Sequence, residues 1–258
     1  MAREGGLDYR RGSLLRVRYH PMAEKGECLG GPLECSDDML ALLQPPVRAG
    51  FVPPVRYGRG IFVPFGASAS TPNISIDAFE NPGTVLTLSH WPSASTPERF
   101  WADLSATSVF RYIEARNTLP CDCVTSDHFD VDGLVGTATA LEPIWALKNR
   151  SMLLKVAECG DFDIGHDPVA RRGSLAINSW AADSFAKNAR QKSHAEICAE
   201  LFEELLFKLP DILMAVDKYE EAWRPEEEAF ATTEKLSALP PEMFQRMLVD
   251  FLRVAPPA

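Results

Sequence analysis

Cys121-Asp122-Cys123-Val124-Thr125, running into Ser126-Asp127-His128-Phe129-Asp130-Val131-Asp132-Gly133-Leu134, is the stretch on which the fold turns. Its opening residues have the apolar, β-branched character of a short buried strand. Its end opens a helix over Gly133 to Leu141, with Leu134, Val135, Ala138 and Leu141 at helical spacing. Upstream lies a stronger strand, Thr84-Val85-Leu86-Thr87-Leu88. Between the two, Thr96 caps and Pro97 starts a helix to about Arg116, built on Phe100, Leu104, Val109, Tyr112 and Ile113. The order strand, helix, strand, loop, helix predicts an α/β fold: a parallel-sheet core with crossover helices. Ligands of such sheets bind at the carboxyl ends of the strands, where Asp127 to Asp132 fall.

Working outward, Gly60 to Phe65 and Asn73 to Asp77 are further strand candidates. Pro143 starts a helix to about Glu158, and Gly160 is placed to cap its C-terminus. Beyond a weaker middle stretch, Ser193-His194-Ala195-Glu196 is a capping box. The helix it opens has Ile197, Leu201, Leu205 and Leu209 on its buried stripe until Pro210 breaks or kinks it, and Ile212 to Trp223 continues helically. Pro241 to Val254 is a last amphipathic element. Residues 1–60, rich in Arg, Gly and Pro breaks, read as a loosely ordered extension with one short helix near Asp37 to Leu43. The organisation expected is therefore an extension over 1–60, an α/β domain over 61–192 and a helical C-terminal region over 193–258.

Composition narrows the function classes. A formal net charge of −10 over 258 residues, with Glu crowded between Glu196 and Glu228, repels a phosphate backbone, so duplex nucleic acid is not expected as a partner. No apolar run approaches the roughly 18 residues of a membrane span, and the N-terminus lacks a secretory apolar segment. A cytoplasmic location is the expectation. Six cysteines without a CxxC pair signal neither a disulfide framework nor a zinc site.

Asp127, His128, Asp130 and Asp132 put three carboxylates and an imidazole between a strand and a helix. Hard oxygen ligands with one His suit Mn²⁺, Mg²⁺ or Fe²⁺. In an extended segment His128, Asp130 and Asp132 share one side and can converge on one ion, with Phe129 and Val131 turned to the core. The plainer alternative makes Asp132 a helix cap and the rest solvated loop.

As an EF-hand loop, the stretch would need a bidentate Glu where Thr139 stands, and that reading fails. Phe129 to Gly133 resembles the nucleophile strand of haloacid-dehalogenase-type phosphatases, with Leu134 in place of the usual Thr. The nearest short-range resemblance is to the first motif of the DHH phosphoesterase superfamily, matched by His128, Asp130, Asp132 and Gly133. That resemblance implies Mn²⁺ or Mg²⁺ held by His128, Asp130 and Asp132, with Asp161 a candidate fourth ligand. It also implies hydrolysis of a small phosphorylated or nucleotide substrate. The superfamily's later Asp-His-His triplet has no counterpart here, which keeps a non-catalytic binding or assembly protein as the alternative. A longer resemblance, through Leu88-Ser89-His90-Trp91-Pro92, Asp103 to Ala106, Asp127 to Leu134 and Ala157 to Phe162, is to an uncharacterised bacterial domain family of unknown function, spanning about Ile74 to Trp223. It implies that His90 and Asp161 belong to the surface of the aspartate loop, with His90 a substrate contact. Packing of His90 and Trp91 on the sheet is the alternative. The sequence leaves the oligomeric state open.

Overall fold

Ile74, Ile76, Leu88 and Val124 are buried apolar residues of short strands, and their pairing sets the frame. Strands β1 (Ile61–Phe62), β2 (Asn73–Ile76), β3 (Thr84–Leu88) and β4 (Cys123–Thr125) form one sheet in the order β1-β4-β2-β3, every pair parallel. This α/β architecture belongs to a computed structural model that describes residues 60–115, 117, 119–162 and 167–237. The helix expected near residues 37–43 and the element expected over 241–254 lie outside the described residues.

Between β2 and β3 no crossover helix stands. Residues 77–83 alone make the link, where parallel neighbours ordinarily need about a dozen residues. Asp77 takes a left-handed backbone (φ 51°), a conformation Asp tolerates better than most residues, and turns the chain at the end of β2. The returning loop is pinned to the sheet by Ser75 Oγ, which donates to the Phe79 carbonyl at 2.7 Å. Helix α1 (Phe65–Ser68) links β1 to β2.

The helix expected from Thr96 to about Arg116 is two pieces: a 3-10 turn over Glu98–Phe100 and α2 (Ser105–Glu114). Thr96 does not cap it; its hydroxyl exchanges hydrogen bonds with the backbone of Ser89. The break has a cause inside the fold. The N–H groups of Ser105 and Ala106, which a continuous helix would use internally, donate to the Asp132 carboxylate at 2.6 and 2.9 Å.

The helix after the aspartate loop, α3 (Val131–Leu141), begins at Val131 rather than Gly133, and its cap is Asp130, whose Oδ1 accepts from the Gly133 N–H at 2.7 Å. Two helices, α4 (Pro143–Lys148) and α5 (Arg150–Phe162), replace the single one expected from Pro143. Gly160 lies inside α5 and caps nothing. A Cβ there would sit 2.4 Å from the Cβ of Val131, so the glycine is what lets α5 approach the start of α3. Gly160→Ala is expected to cost about 1–3 kcal/mol by overpacking, measured by urea denaturation.

The weak middle stretch is the long helix α6 (Pro168–Asn188), capped by Asp167. Its buried face is Ala170, Gly173, Ser174, Ala176, Ile177 and Ala181, small residues apart from Ile177, which leave no apolar stripe to read. Helix α7 (His194–Met214) has the expected capping box and buries Ile197, Leu201, Leu205 and Leu209, but it continues through Pro210. A 3-10 turn (Val216–Tyr219) leads to α8 (Glu220–Ser237). One apolar cluster runs from Leu104 through α3, α5, α6 and α7 to Trp223, and a second lies between the sheet and Phe100, Val109 and Ala140. Among the described residues no helix is long and apolar enough to cross a membrane.

Candidate metal centre

The carboxyl ends of β2, β3 and β4 meet at one place. Asp77 follows β2, His90 lies just past β3, and Asp127 to Asp132 leave β4 and enter α3. Two sets of potential ligands form there, Asp77 with His128 and Asp130, and Asp77 with His90 and Asp132. Within each set the ligand atoms all lie within 4.8 Å of one another, and Asp77 belongs to both. Its oxygens divide between them. Oδ2 lies 3.4 Å from His128 Nε2, which is 3.2 Å from Asp130 Oδ2. Oδ1 lies 3.5 Å from His90 Nδ1, which is 3.4 Å from Asp132 Oδ2.

Several contacts hold this arrangement in place. Ser105 Oγ donates to Asp77 Oδ1 at 2.7 Å and accepts from the His90 N–H at 2.9 Å. The indole N–H of Trp91 reaches the same Asp77 oxygen at 3.3 Å. Asp127 Oδ1 lies 2.7 Å from His128 Nδ1, which leaves Nε2 facing the carboxylates, and its Oδ2 accepts from the Phe79 N–H. Carboxylate, imidazole and ligand atom stand in the relation that orients metal-binding histidines. A Cβ on Gly133 would come within 3.2 Å of both Asp130 Oδ1 and Asp77 Oδ2, so here glycine supplies room for two carboxylates.

The electrostatics are those of anionic charge held out of water. Asp77 is fully buried, and its Oδ2 accepts no hydrogen bond from a described residue. Burial pushes its carboxyl well above the usual range, and the charges of Asp130 and Asp132 push it the same way. His128 is raised to about 10, chiefly by its hydrogen bonds to Asp127 and Asp130. The hydrogen bond to Asp132 raises His90. Burial works against the charge on Asp130, yet His128 and the Gly133 N–H bring its carboxyl down. Groups so placed could hold a metal ion.

A family model described as "Family of unknown function (DUF6687)" matches residues 59–238. The chain belongs to that family. The match begins before β1 and ends just past α8, so the matched range spans both ligand sets. No curated protein and no solved structure matches the chain.

Set against this family fold, the residues singled out in the sequence sort as follows. Among the described residues His128, Asp130 and Asp132 gather at this centre in two sets: Asp132 is already inside α3 and lies with His90, while His128 and Asp130 lie on the other side of Asp77. Phe129 and Val131 do turn to the core, Phe129 against Phe202 at 5.1 Å. His90, expected to touch substrate, stands among the potential ligands. Asp161, on the last turn of α5, belongs to neither set. Burial raises its carboxyl, and it is close enough for the charge of Asp132 to raise it further and that of His90 to oppose the rise. Asp163 and His166, noted near it in sequence, lie outside the described residues. Two residues escaped the sequence reading: Asp77, a single acid at the end of a strand pattern, and Ser105, buried within a helical one.

Proposed function

We propose that this chain is a two-metal-ion phosphoesterase acting on a small phosphorylated molecule, with Mn²⁺ or Mg²⁺ as its metal. The observation that carries the proposal is Asp77, a buried carboxylate with one oxygen in each ligand set and no hydrogen bond to Oδ2. Were two ions bound, Asp77 would be the residue that helps to hold both. The all oxygen and imidazole donor set favours Mn²⁺ or Mg²⁺ over thiol-seeking metals. The match of His128, Asp130, Asp132 and Gly133 to a DHH-type first motif supports the same chemistry, and His90 and Asp77 offer donors that the absent Asp-His-His triplet would otherwise have to supply.

Paired ions would supply Lewis acidity and an activated water for in-line attack on phosphorus. The chain's own residues do the positioning. Asp127 fixes the His128 ring so that Nε2 faces the centre, Ser105 holds Asp77 against His90, and the start of α2 anchors Asp132. Asp161, outside the ligand sets, is near enough to feel the charges of Asp132 and His90 and would add a further acidic group beside the ions. The acidic surface disfavours a polyanionic nucleic acid and leaves small phosphates, screened by the ions, as substrates.

Purified chain is expected to bind close to two Mn²⁺ and to hydrolyse an aryl phosphate in a metal-dependent way. Absence of both bound metal and turnover overturns the proposal; bound metal without turnover on any phosphoester favours a binding or assembly role. Asp127→Asn, which leaves His128 without its carboxylate, is expected to weaken Mn²⁺ binding about 10- to 100-fold, measured by calorimetric titration.

A further inference from the structure

The two ligand sets share Asp77 but do not meet it on equal terms. Its Oδ2, on the side of His128 and Asp130, is buried and accepts no hydrogen bond from a described residue. Both lone pairs of that oxygen are open to an ion. Its Oδ1, on the side of His90 and Asp132, takes two donors: the Ser105 hydroxyl at 2.7 Å and the Trp91 indole N–H at 3.3 Å. Two donors fill the two lone pairs of a carboxylate oxygen, so an ion reaches Oδ1 only when one of them leaves. The Asp132 oxygens are less encumbered, since each accepts one backbone N–H, from Ser105 or from Ala106, and keeps a lone pair.

Which donor yields is decided by their surroundings. Ser105 is fully buried, makes the shorter bond, and also accepts from the His90 N–H at 2.9 Å. Trp91 makes the longer bond from a side chain 37% exposed, and its indole can turn toward water without losing a partner for the N–H. His90 does not follow it, because Ser105 holds its N–H and the Trp101 indole N–H holds its carbonyl. From this asymmetry we infer that two ions load in order: a first at Asp77 Oδ2, His128 and Asp130, and a second, held more weakly, at Asp77 Oδ1, His90 and Asp132. Trp91 is the gate that releases Asp77 to admit the second. The inference rests on the two-metal reading and adds regulation to it. Turnover needs both ions, so it follows the free cation concentration through the gated set while the first ion stays bound. Trp91 is a positioning residue, acting on the second ion through Asp77.

The test is calorimetric titration of the full chain with Mn²⁺, with the tryptophan emission wavelength followed over the same range. Mn²⁺ is expected to bind in two phases at least about tenfold apart in affinity, the equivalent of about 1.4 kcal/mol. Trp91→Phe keeps a ring and removes the N–H. It should tighten the second phase about 3- to 10-fold, the worth of one hydrogen bond, and leave the first unchanged. In Asp132→Asn the tight phase alone should remain. Wild-type emission, a readout that needs no variant, should move to longer wavelength during the second phase as the Trp91 indole turns to water. Two ions of equal affinity, a second phase weakened in Trp91→Phe, or an emission shift complete with the first ion overturns the inference and leaves the two-metal reading standing. Fewer than two bound Mn²⁺ per chain overturns both.

Discussion

Asp77→Asn is expected to abolish metal-dependent turnover and, in the metal-free protein, to raise stability. The loss of activity should exceed about a hundredfold, the upper end of what removal of a residue that merely supports a metal ligand costs. Asp77 is the one side chain common to both ligand sets, so its loss disturbs both. The gain in stability follows from the same burial. A carboxylate out of water, beside Asp130 and Asp132 and with one oxygen lacking a hydrogen bond, is costly to fold around unless a cation meets it. An amide of the same shape removes the charge and keeps an acceptor for Ser105, and about 1–3 kcal/mol is the expected gain.

The pH dependence gives this prediction its sign. Folding raises the Asp77 pKa from 3.8, so the folded chain holds this proton where the unfolded chain has lost it. Below that value both states are protonated and the residue's contribution is fully present. As pH rises past it, the unfolded chain ionises first and stability falls, by at most about 1.4 kcal/mol per pH unit, until the folded carboxyl ionises as well. Asparagine does not titrate. The stability gap between variant and wild type is therefore expected to open from about pH 4 upward. Denaturation in the presence of a chelator over a pH series measures it. A variant less stable than wild type throughout would mean that Asp77 is a structural residue. With Mn²⁺ added at about 100 times its dissociation constant, the wild type should gain about 2.7 kcal/mol and the variant little.

The sequence discloses some of this centre and hides the rest for physical reasons. Asp127 to Asp132 is legible because its polar groups are consecutive, bounded by a strand and a helix. Asp77 is not, since one Asp after Ile74-Ser75-Ile76 looks like any strand ending in a turn; its left-handed backbone and its neighbours come from the fold. Ser105 hides because the apolar period from Phe100 to Ile113 runs straight across it, and only the Asp132 carboxylate, distant in sequence, decides where α2 begins. The parallel sheet was readable from the alternation of strands and helices, whereas the helix-free link between β2 and β3 was not, because local pattern does not report which strands pair. Helix α6 was obscured by its small-residue face. The capping box at Ser193 and the stripe of α7 were plain, being local signals that tertiary packing had no reason to override.

Asp132→Ala is expected to move stability the other way, although Asp132 stands in the same centre as Asp77. Its two oxygens accept the N–H groups of Ser105 and Ala106 in the buried start of α2. Truncation leaves both donors without a partner, at about 1–3 kcal/mol each, so a loss of roughly 2–6 kcal/mol is expected even with metal absent. Asp132→Asn keeps one acceptor oxygen and should lose about half as much. Both substitutions remove the second ligand set and spare Asp77, His128 and Asp130, so Mn²⁺ stoichiometry should fall from close to two per chain to close to one. The contrast between neighbours is the diagnostic. If the carboxylates served only to knit the strand ends to the helices, Asp77→Asn and Asp132→Ala would both destabilise the metal-free chain. If Asp77 is kept for a cation, chemical denaturation in a chelator will show the first variant more stable than wild type and the second less.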